Sequence, residues 1–296
     1  MTAQVTVGLD GSGESLAAAR WAAGEAVLRE EPLRLVTVDE WPSVPEVPAS
    51  YKSAAAERAA TLLDETAERA TKDHPGLDVR TERARGRAAE VLTALANGSD
   101  LTVLGSRGLG GVRGFVVGSV SLAVVAAARQ PVVLVRAERP EDALEDAPEE
   151  APTPAFGRIV VGVDIYHPCE PLLGFAFAEA ARRNAPLRFL HTWTLPASYG
   201  YASIVDPGVG EQLGERLEGG LDDLIAPWQK RFPEVPVTAR AVVGSAAYQL
   251  VVASRDAGLV VVGRRARPVP VGPHLGHVAH AVIHHSPAPV AVVPLG

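Results

Sequence analysis

The chain has 296 residues, 47% hydrophobic and 21% charged, which suits two ordinary domains of roughly 150 residues each and excludes collagen, coiled coil and disorder throughout. Its net charge of −7 resides mainly between Glu138 and Glu150, where seven acids face only Arg139; the nearly neutral remainder offers no basic face for nucleic acid. A single cysteine, Cys169, precludes an intramolecular disulfide and fits a reducing compartment, apolar runs such as Val132–Val135 fall far short of the roughly 20 residues of a membrane helix, and no signal peptide precedes the first strand, so a soluble, cytoplasmic protein without membrane partners is expected.

In chain order, β-branched runs at residues 4–9, 33–38, 77–83, 101–104 and 131–136 predict strands, and helical patterns at 14–29, 52–73, 88–97 and 118–129 lie between them. Such alternation is the signature of a parallel sheet covered on both faces. The acidic stretch then continues through Pro148, Pro152 and Pro154 with too few apolar residues to bury anything, so residues 138–155 are read as an extended linker between domains at 1–137 and 156–296. Beyond it the pattern returns. VTVGLDGS at 5–12 matches IVVGVDIY at 159–166, LTVLGSRG at 101–108 matches LVVVGRRA at 259–266, and QPVVLVR at 130–136 matches APVAVVP at 288–294. The offset is 154 residues at Asp10 and Asp164, and 158 at Gly105 and Gly263. The chain is a tandem repeat of one α/β domain.

Open parallel sheets bind ligands beyond the carboxyl ends of their strands. Asp10 follows the first strand, and a glycine-rich loop containing Gly105, Gly108 and Gly118 follows the fourth and leads to a helix opening at Ser119. Glycine lets a backbone approach a phosphate, and a helix start offers free amides and the positive end of its dipole, so the loop points to an anion site. It is not the common phosphate loop, because none of Lys52, Lys72 and Lys230 follows a glycine.

The spacing Gly105-x2-Gly108-x9-Gly118-Ser119, with Val7-x-x-Asp10-Gly-Ser after the first strand, resembles the ATP-binding subgroup of the universal stress protein family, and the resemblance covers nearly the whole chain as two copies. It implies two open five-stranded parallel sheets in the order 3-2-1-4-5 with helices on both faces, similar to the adenine nucleotide alpha hydrolase-like fold. It also implies ATP, with or without Mg2+, in the first copy. Asp10 would accept hydrogen bonds from the ribose hydroxyls, with Gly8 lining the same edge. Val38 would meet adenine through its backbone, with Leu104 packed nearby. Gly105, Gly108, Gly118, Ser119 and Val120 would hold the phosphates by main-chain amides, and Arg107 and Arg113 would add charge. The second copy keeps Asp164 but has Tyr166 for Ser12, Ala266 for Gly108 and His277 for Ser119, while Pro268, Pro270 and Pro273 remove backbone donors from its loop. Impaired nucleotide binding is expected there.

Plainer readings stand beside these. An Asp-Gly-Ser turn ahead of a helix is an ordinary end cap. His277, His280 and His284 share one helical face, but that helix must pack on a sheet and no local carboxylate or thiolate completes a set, so packing is preferred to a metal site. Cys169 is read as a small buried thiol, and Trp21, Trp41, Trp193 and Trp228 as packing residues. No catalytic signature is present, so no enzyme is expected. Strands 132–135 and 290–293 are apolar edges if unpaired, and their mutual pairing predicts an intramolecular pseudo-dimer, with a homodimer of chains also compatible. The expected function is a nucleotide-dependent signalling or regulatory module of stress physiology; a nucleotide-independent interaction scaffold and a slow ATPase are the alternatives.

Overall fold

The computed structural model describes residues 3–40, 48–106, 117–137, 157–167, 170–194, 208–265 and 275–295. The chain separates into two compact units, the first carrying the described residues up to 137 and the second those from 157 onward. The stretch read as a linker lies outside the described residues, as do Trp41 and Cys169.

In the first unit β1 (Val5–Leu9), α1 (Gly13–Arg29), β2 (Leu33–Asp39), α2 (Ala49–Asp73), β3 (Val79–Arg85), α3 (Ala88–Ala96), β4 (Leu101–Gly105), α4 (Ser119–Ala127) and β5 (Val132–Val135) follow one another. All four strand pairings are parallel, and the order is β3-β2-β1-β4-β5. Every residue of β1, β4 and β5 is buried, as expected of strands covered on both faces, whereas β3, with Arg80, Thr81, Arg83 and Arg85 exposed, is a polar edge. The two covers can be told apart by glycine. A Cβ on Gly8 would meet Leu92 of α3, and one on Gly105 would meet the backbone of α1.

The second unit repeats this with β6 (Arg158–Gly162), α5 (Glu170–Arg183), β7 (Leu187–Trp193), α6 (Gly208–Arg231), β8 (Val237–Val243), α7 (Ala246–Ala253), β9 (Ala257–Arg264), α8 (His277–His285) and β10 (Val290–Pro294). Its order, β10-β9-β6-β7-β8, is again 5-4-1-2-3 in local numbering, all parallel. The cores are filled differently. Helix α1 buries Ala17, Ala18, Ala19, Ala22, Ala23 and Ala26, small enough to sit close to the sheet, while α5 places Phe177 in a cluster with Phe189, Trp228 and Phe232 at centroid distances of 5.7, 6.0 and 5.7 Å. Both units also keep a buried ion pair one turn long, Glu25 with Arg29 and Glu179 with Arg183.

Two predicted helix boundaries shift slightly. Helix α2 starts at Ala49 rather than 52, because Pro48, at φ −56° and ψ 141°, stands just before it. Helix α4 ends at Ala127 rather than 129, and Ala128 is already extended at φ −62° and ψ 143°. Helices α1 and α5 leave through a matching bend: Glu30 (φ 56°) and Asn184 (φ 48°), 154 residues apart, both have left-handed backbone.

Candidate functional site

Strands β1 and β4 run side by side in register, Val5 with Leu101 and Val7 with Val103, while β2 and β5 lie on their outer sides. This is where strand order reverses, and the loops after β1 and β4 therefore emerge together. Asp10 leaves β1 and is exposed. Its Oδ1 accepts from the Ser12 N–H at 2.9 Å and from the Ser12 hydroxyl at 2.6 Å. Ser12 Oγ in turn accepts from the Ser15 N–H at 3.1 Å and so caps α1. Gly11, at φ 83°, supplies the left-handed step that this turn requires. Asp10 is thus positioned by the start of α1.

The β4 loop is closed by hydrogen bonds that bring α4 back to the strand it left. Ser106 N–H donates to the Val135 carbonyl at 2.7 Å, Gly118 N–H to the Ser106 carbonyl at 2.9 Å, and Ser121 Oγ to the Gly105 carbonyl at 2.8 Å. Gly118 is the N-cap of α4, extended at φ −64° and ψ 146°, and among the described residues no side chain caps the helix. Its own amide is engaged by Ser106, so the amides left without an intrahelical acceptor are those of Ser119, Val120 and Ser121. The Ser106 hydroxyl, buried at the same strand end, has no hydrogen-bond partner among the described residues.

Of the other sequence-predicted residues, Val38 is half-buried, one position beyond the Leu9–Thr37 register pair and so level with Asp10. Leu104 is buried on the Gly8 side of the sheet, where a Cβ on Gly8 would lie 2.8 Å from Leu104 Cδ2 and 3.3 Å from Leu92 Cδ2. A Cβ on Gly105 would fall 2.8 Å from the Glu14 carbonyl carbon and 2.9 Å from the Ser15 nitrogen. Both glycines are therefore demanded by packing within the sheet and helices. Arg107, Gly108 and Arg113 lie outside the described residues.

In the second unit the same place is built with different groups. A Cβ on Gly162 would meet Leu250 Cδ1 at 2.8 Å, the counterpart of the Gly8–Leu92 contact. Asp164 Oδ1 accepts from the Tyr166 N–H at 3.1 Å, while Oδ2 lies 3.0 Å from His167 Nδ1 and 3.2 Å from an Arg265 guanidinium nitrogen. Partial burial pushes this carboxyl upward, but the hydrogen bonds from His167 and Tyr166, with the charge of His167 and the Arg265 contact, outweigh it and hold it below the usual carboxylate value. The loop prolines Pro268, Pro270 and Pro273, with Ala266, lie outside the described residues. Helix α8 corrects one expectation. It packs through Ala279, Val282 and Ile283, leaving His277, His280 and His285 exposed and His284 half-buried. Among the described residues no three His, Cys, Asp or Glu side chains are grouped to hold a metal ion, and no helix is long and apolar enough to cross a membrane.

The universal stress protein family model matches residues 1–136 and again 155–294. The chain belongs to the universal stress protein family. A universal stress protein of Mycobacterium tuberculosis is 32% identical over 297 residues, covering 97% of this chain and 96% of its own length. One from Mycolicibacterium smegmatis is 31% identical over 301 residues, covering 98% and 96%. Among solved structures, a universal stress protein from Archaeoglobus fulgidus DSM 4304 covers 99% of this chain and 98% of its own, with a TM-score of 0.69 at 16% identity, and so shares the fold. In this universal stress protein the residues that sequence spacing does not single out are Ser106 and Ser121, which tie the β4 loop to α4. Their signal is a hydroxyl at the buried end of an apolar strand, and a second in the first turn of the helix after the glycines.

Proposed function

We propose that this universal stress protein binds an adenine nucleotide, ATP with or without Mg2+, in its first repeat, and acts in the cytoplasm as a nucleotide-dependent signalling or regulatory module rather than as an enzyme. The supporting observation is the adjacency of β1 and β4, which puts Asp10 and the uncapped start of α4 at one sheet edge. The residues fit such a ligand. Asp10 is a hydrogen-bond acceptor for ribose hydroxyls, the backbone at Val38 is level with it for the base, and the amides of Ser119, Val120 and Ser121 are donors for phosphate oxygens at the positive end of a helix. The Ser106 hydroxyl, without a partner among the described residues, is a further donor on the same strand end. Gly105, Arg107, Gly108 and Gly118 belong to the proposed phosphate loop by their spacing, Gly8 and Leu104 to its apolar floor. Any Mg2+ would be held chiefly by the phosphates and water.

Calorimetry on the nucleotide-stripped chain tests this with ATP, ADP and AMP. About one site per chain, lost in Gly118→Asp, is the expected result; no heat and no bound nucleotide would overturn it. The scaffold reading has one observation of its own, the engagement of Asp10 by Ser12 in the α1 cap, and it gains if binding is absent while the fold is intact. Turnover that disappears in Asp10→Ala would favour the ATPase reading. An intramolecular pseudo-dimer is proposed from the apolar sequences 132–135 and 290–293 alone, and light scattering of the same sample tests the homodimer.

A further inference from the structure

Between α1 and α2 the first unit holds a pocket of about 80 Å3. Leu16, Ala19, Ala23 and Ala70 give it apolar walls, and the exposed Arg20, Arg69 and Asp73 line it beside the half-buried His74. Among the described residues neither arginine side chain has a hydrogen-bond, ion-pair or ring partner. Asp73 and His74 stand where α2 ends ahead of β3, at the opposite end of the parallel strands from Asp10. The pocket is therefore separate from the edge proposed for the nucleotide.

The second unit shows what the same place holds when it is filled. The ends of α2 and α6 have one backbone pattern: the His74 N–H donates to the Ala70 carbonyl at 2.9 Å and the Leu77 N–H to the His74 carbonyl at 3.2 Å, as Phe232 does to Trp228 and Val235 to Phe232 at the same two distances. Trp228 thus matches Ala70 and Phe232 matches His74, while the 154-residue offset along α1 matches Phe177 with Ala23 and Gly174 with Arg20. In the second unit these three aromatic rings stack on one another, with centroids 5.7 to 6.4 Å apart. Gly174 clears space for them, since a Cβ there would lie 3.0 Å from Trp228 Cη2. The Arg231 guanidinium lies 5.6 Å from the centroids of both Trp228 and Phe232. The first repeat has two alanines and an imidazole in place of the three rings, and arginines at the edge of the space that results.

We propose that the α1–α2 pocket of the first repeat binds a small aromatic carboxylate, its ring on the alanines that stand where the second repeat has Phe177 and Trp228, and its carboxylate at the arginine rim. Two guanidiniums against the single Asp73 carboxylate give that rim a positive balance. Guanidinium pairs with carboxylate through a planar fork of donors and also stacks on aromatic faces, so arginine serves both halves of such a ligand. The volume suits one ring and no more: it is roughly half of the 150 Å3 that holds benzene in a fully enclosed cavity, and the exposed rim leaves the polar substituent outside. A ligand of about ten heavy atoms held this way has a Kd on the order of 0.1–1 mM.

The test is an NMR titration of the full chain with phenylacetate, beside 2-phenylethanol, which lacks the carboxylate, and cyclohexylacetate, which lacks the aromatic ring. One saturable site per chain is expected for phenylacetate, with both analogues weaker. Arg69→Gln should weaken it about fivefold or more through the lost charge-assisted contact, and Arg129→Gln, at the far end of α4, should leave it unchanged. Ala70→Trp, which installs the residue of the sister repeat, should abolish it. Arg69 is exposed, so its variant should unfold at the wild-type temperature, and that measurement separates a lost contact from lost folding. No saturable binding up to about 10 mM, equal affinity in the wild type and Arg69→Gln, or equal affinity for phenylacetate and 2-phenylethanol would overturn the assignment.

Discussion

Asp10 and Asp164 stand at the same point of two copies of one sheet, yet each is held by a different kind of neighbour. Asp10 is bound into the cap of α1 through the amide and hydroxyl of Ser12. Where Ser12 would be, the second copy has Tyr166, which offers only its amide, and the carboxylate is gripped by His167 and Arg265. The backbone path survives duplication while the electrostatics of the position do not. A carboxylate already engaged by a histidine ring and a guanidinium has less to gain from a ligand's hydroxyls, so an acid repeated at the same point of a repeated fold does not by itself define a nucleotide site.

The sharpest way to break this contrast is to put a carboxylate on each helix start. Gly118→Asp should lower ATP affinity at least a hundredfold, about 2.8 kcal/mol, while Gly276→Asp, at the N-cap of α8, should change it less than twofold; calorimetry on both variants decides. Aspartate is a good N-cap and Gly118 already has the extended backbone of one, so this variant should keep or slightly improve the stability of α4. A paired loss of folding would point to a different cause.

The next contrast concerns packing. Gly105→Ala drives a methyl into the fixed backbone of Glu14 and Ser15, whereas the atoms nearest to a methyl at Gly263 belong to the side chain of Leu295, its Cδ1 at 2.6 Å. Urea unfolding should show a loss of about 1–3 kcal/mol for Gly105→Ala and a clearly smaller one for Gly263→Ala, because a terminal leucine can turn aside. Equal losses would mean that the two strand ends are equally rigid. Removing the cap is milder: Ser12→Ala should cost about 1 kcal/mol, and Tyr166→Ala, which removes no capping hydroxyl, should leave unfolding nearly unchanged.

The smallest effect is electrostatic. Because the folded-state pKa of Asp164 lies below its ordinary value of 3.8, the stability it contributes is complete well above pH 3.8 and is lost as the pH falls through the lower folded-state value. Arg265→Ala should move the carboxyl resonance midpoint of Asp164 upward toward 3.8 in an NMR titration, and an unmoved midpoint would show that the contact carries no weight in solution.

Much of the architecture was legible because it rests on local pattern. Strands β1, β4 and β5 are buried on both sides and are accordingly apolar, and the half-exposed β3 was found two residues early because its polar alternation marks no sharp start. Asp10, Gly105 and Gly118 were legible from spacing. What spacing could not convey is partnership across the fold: that Gly105 is required by α1, Gly8 by Leu92 and Leu104, or that the Gly118 amide is taken by Ser106. The histidine face shows the same limit. Positions 277, 280 and 284 do share a face, but periodicity does not say which face meets the sheet, and the apolar set Ala279, Val282 and Ile283 was the better guide.

The bend that ends α1 and α5 carries a history of its own. Glu30 and Asn184 hold the same left-handed backbone, a conformation that asparagine tolerates and glutamate resists by about 1 kcal/mol or more. The same turn thus stands in both copies with different occupants, one at ease and the other under tension. Glu30 is thereby a ready point of improvement, since the sister copy already displays a better residue for the same corner.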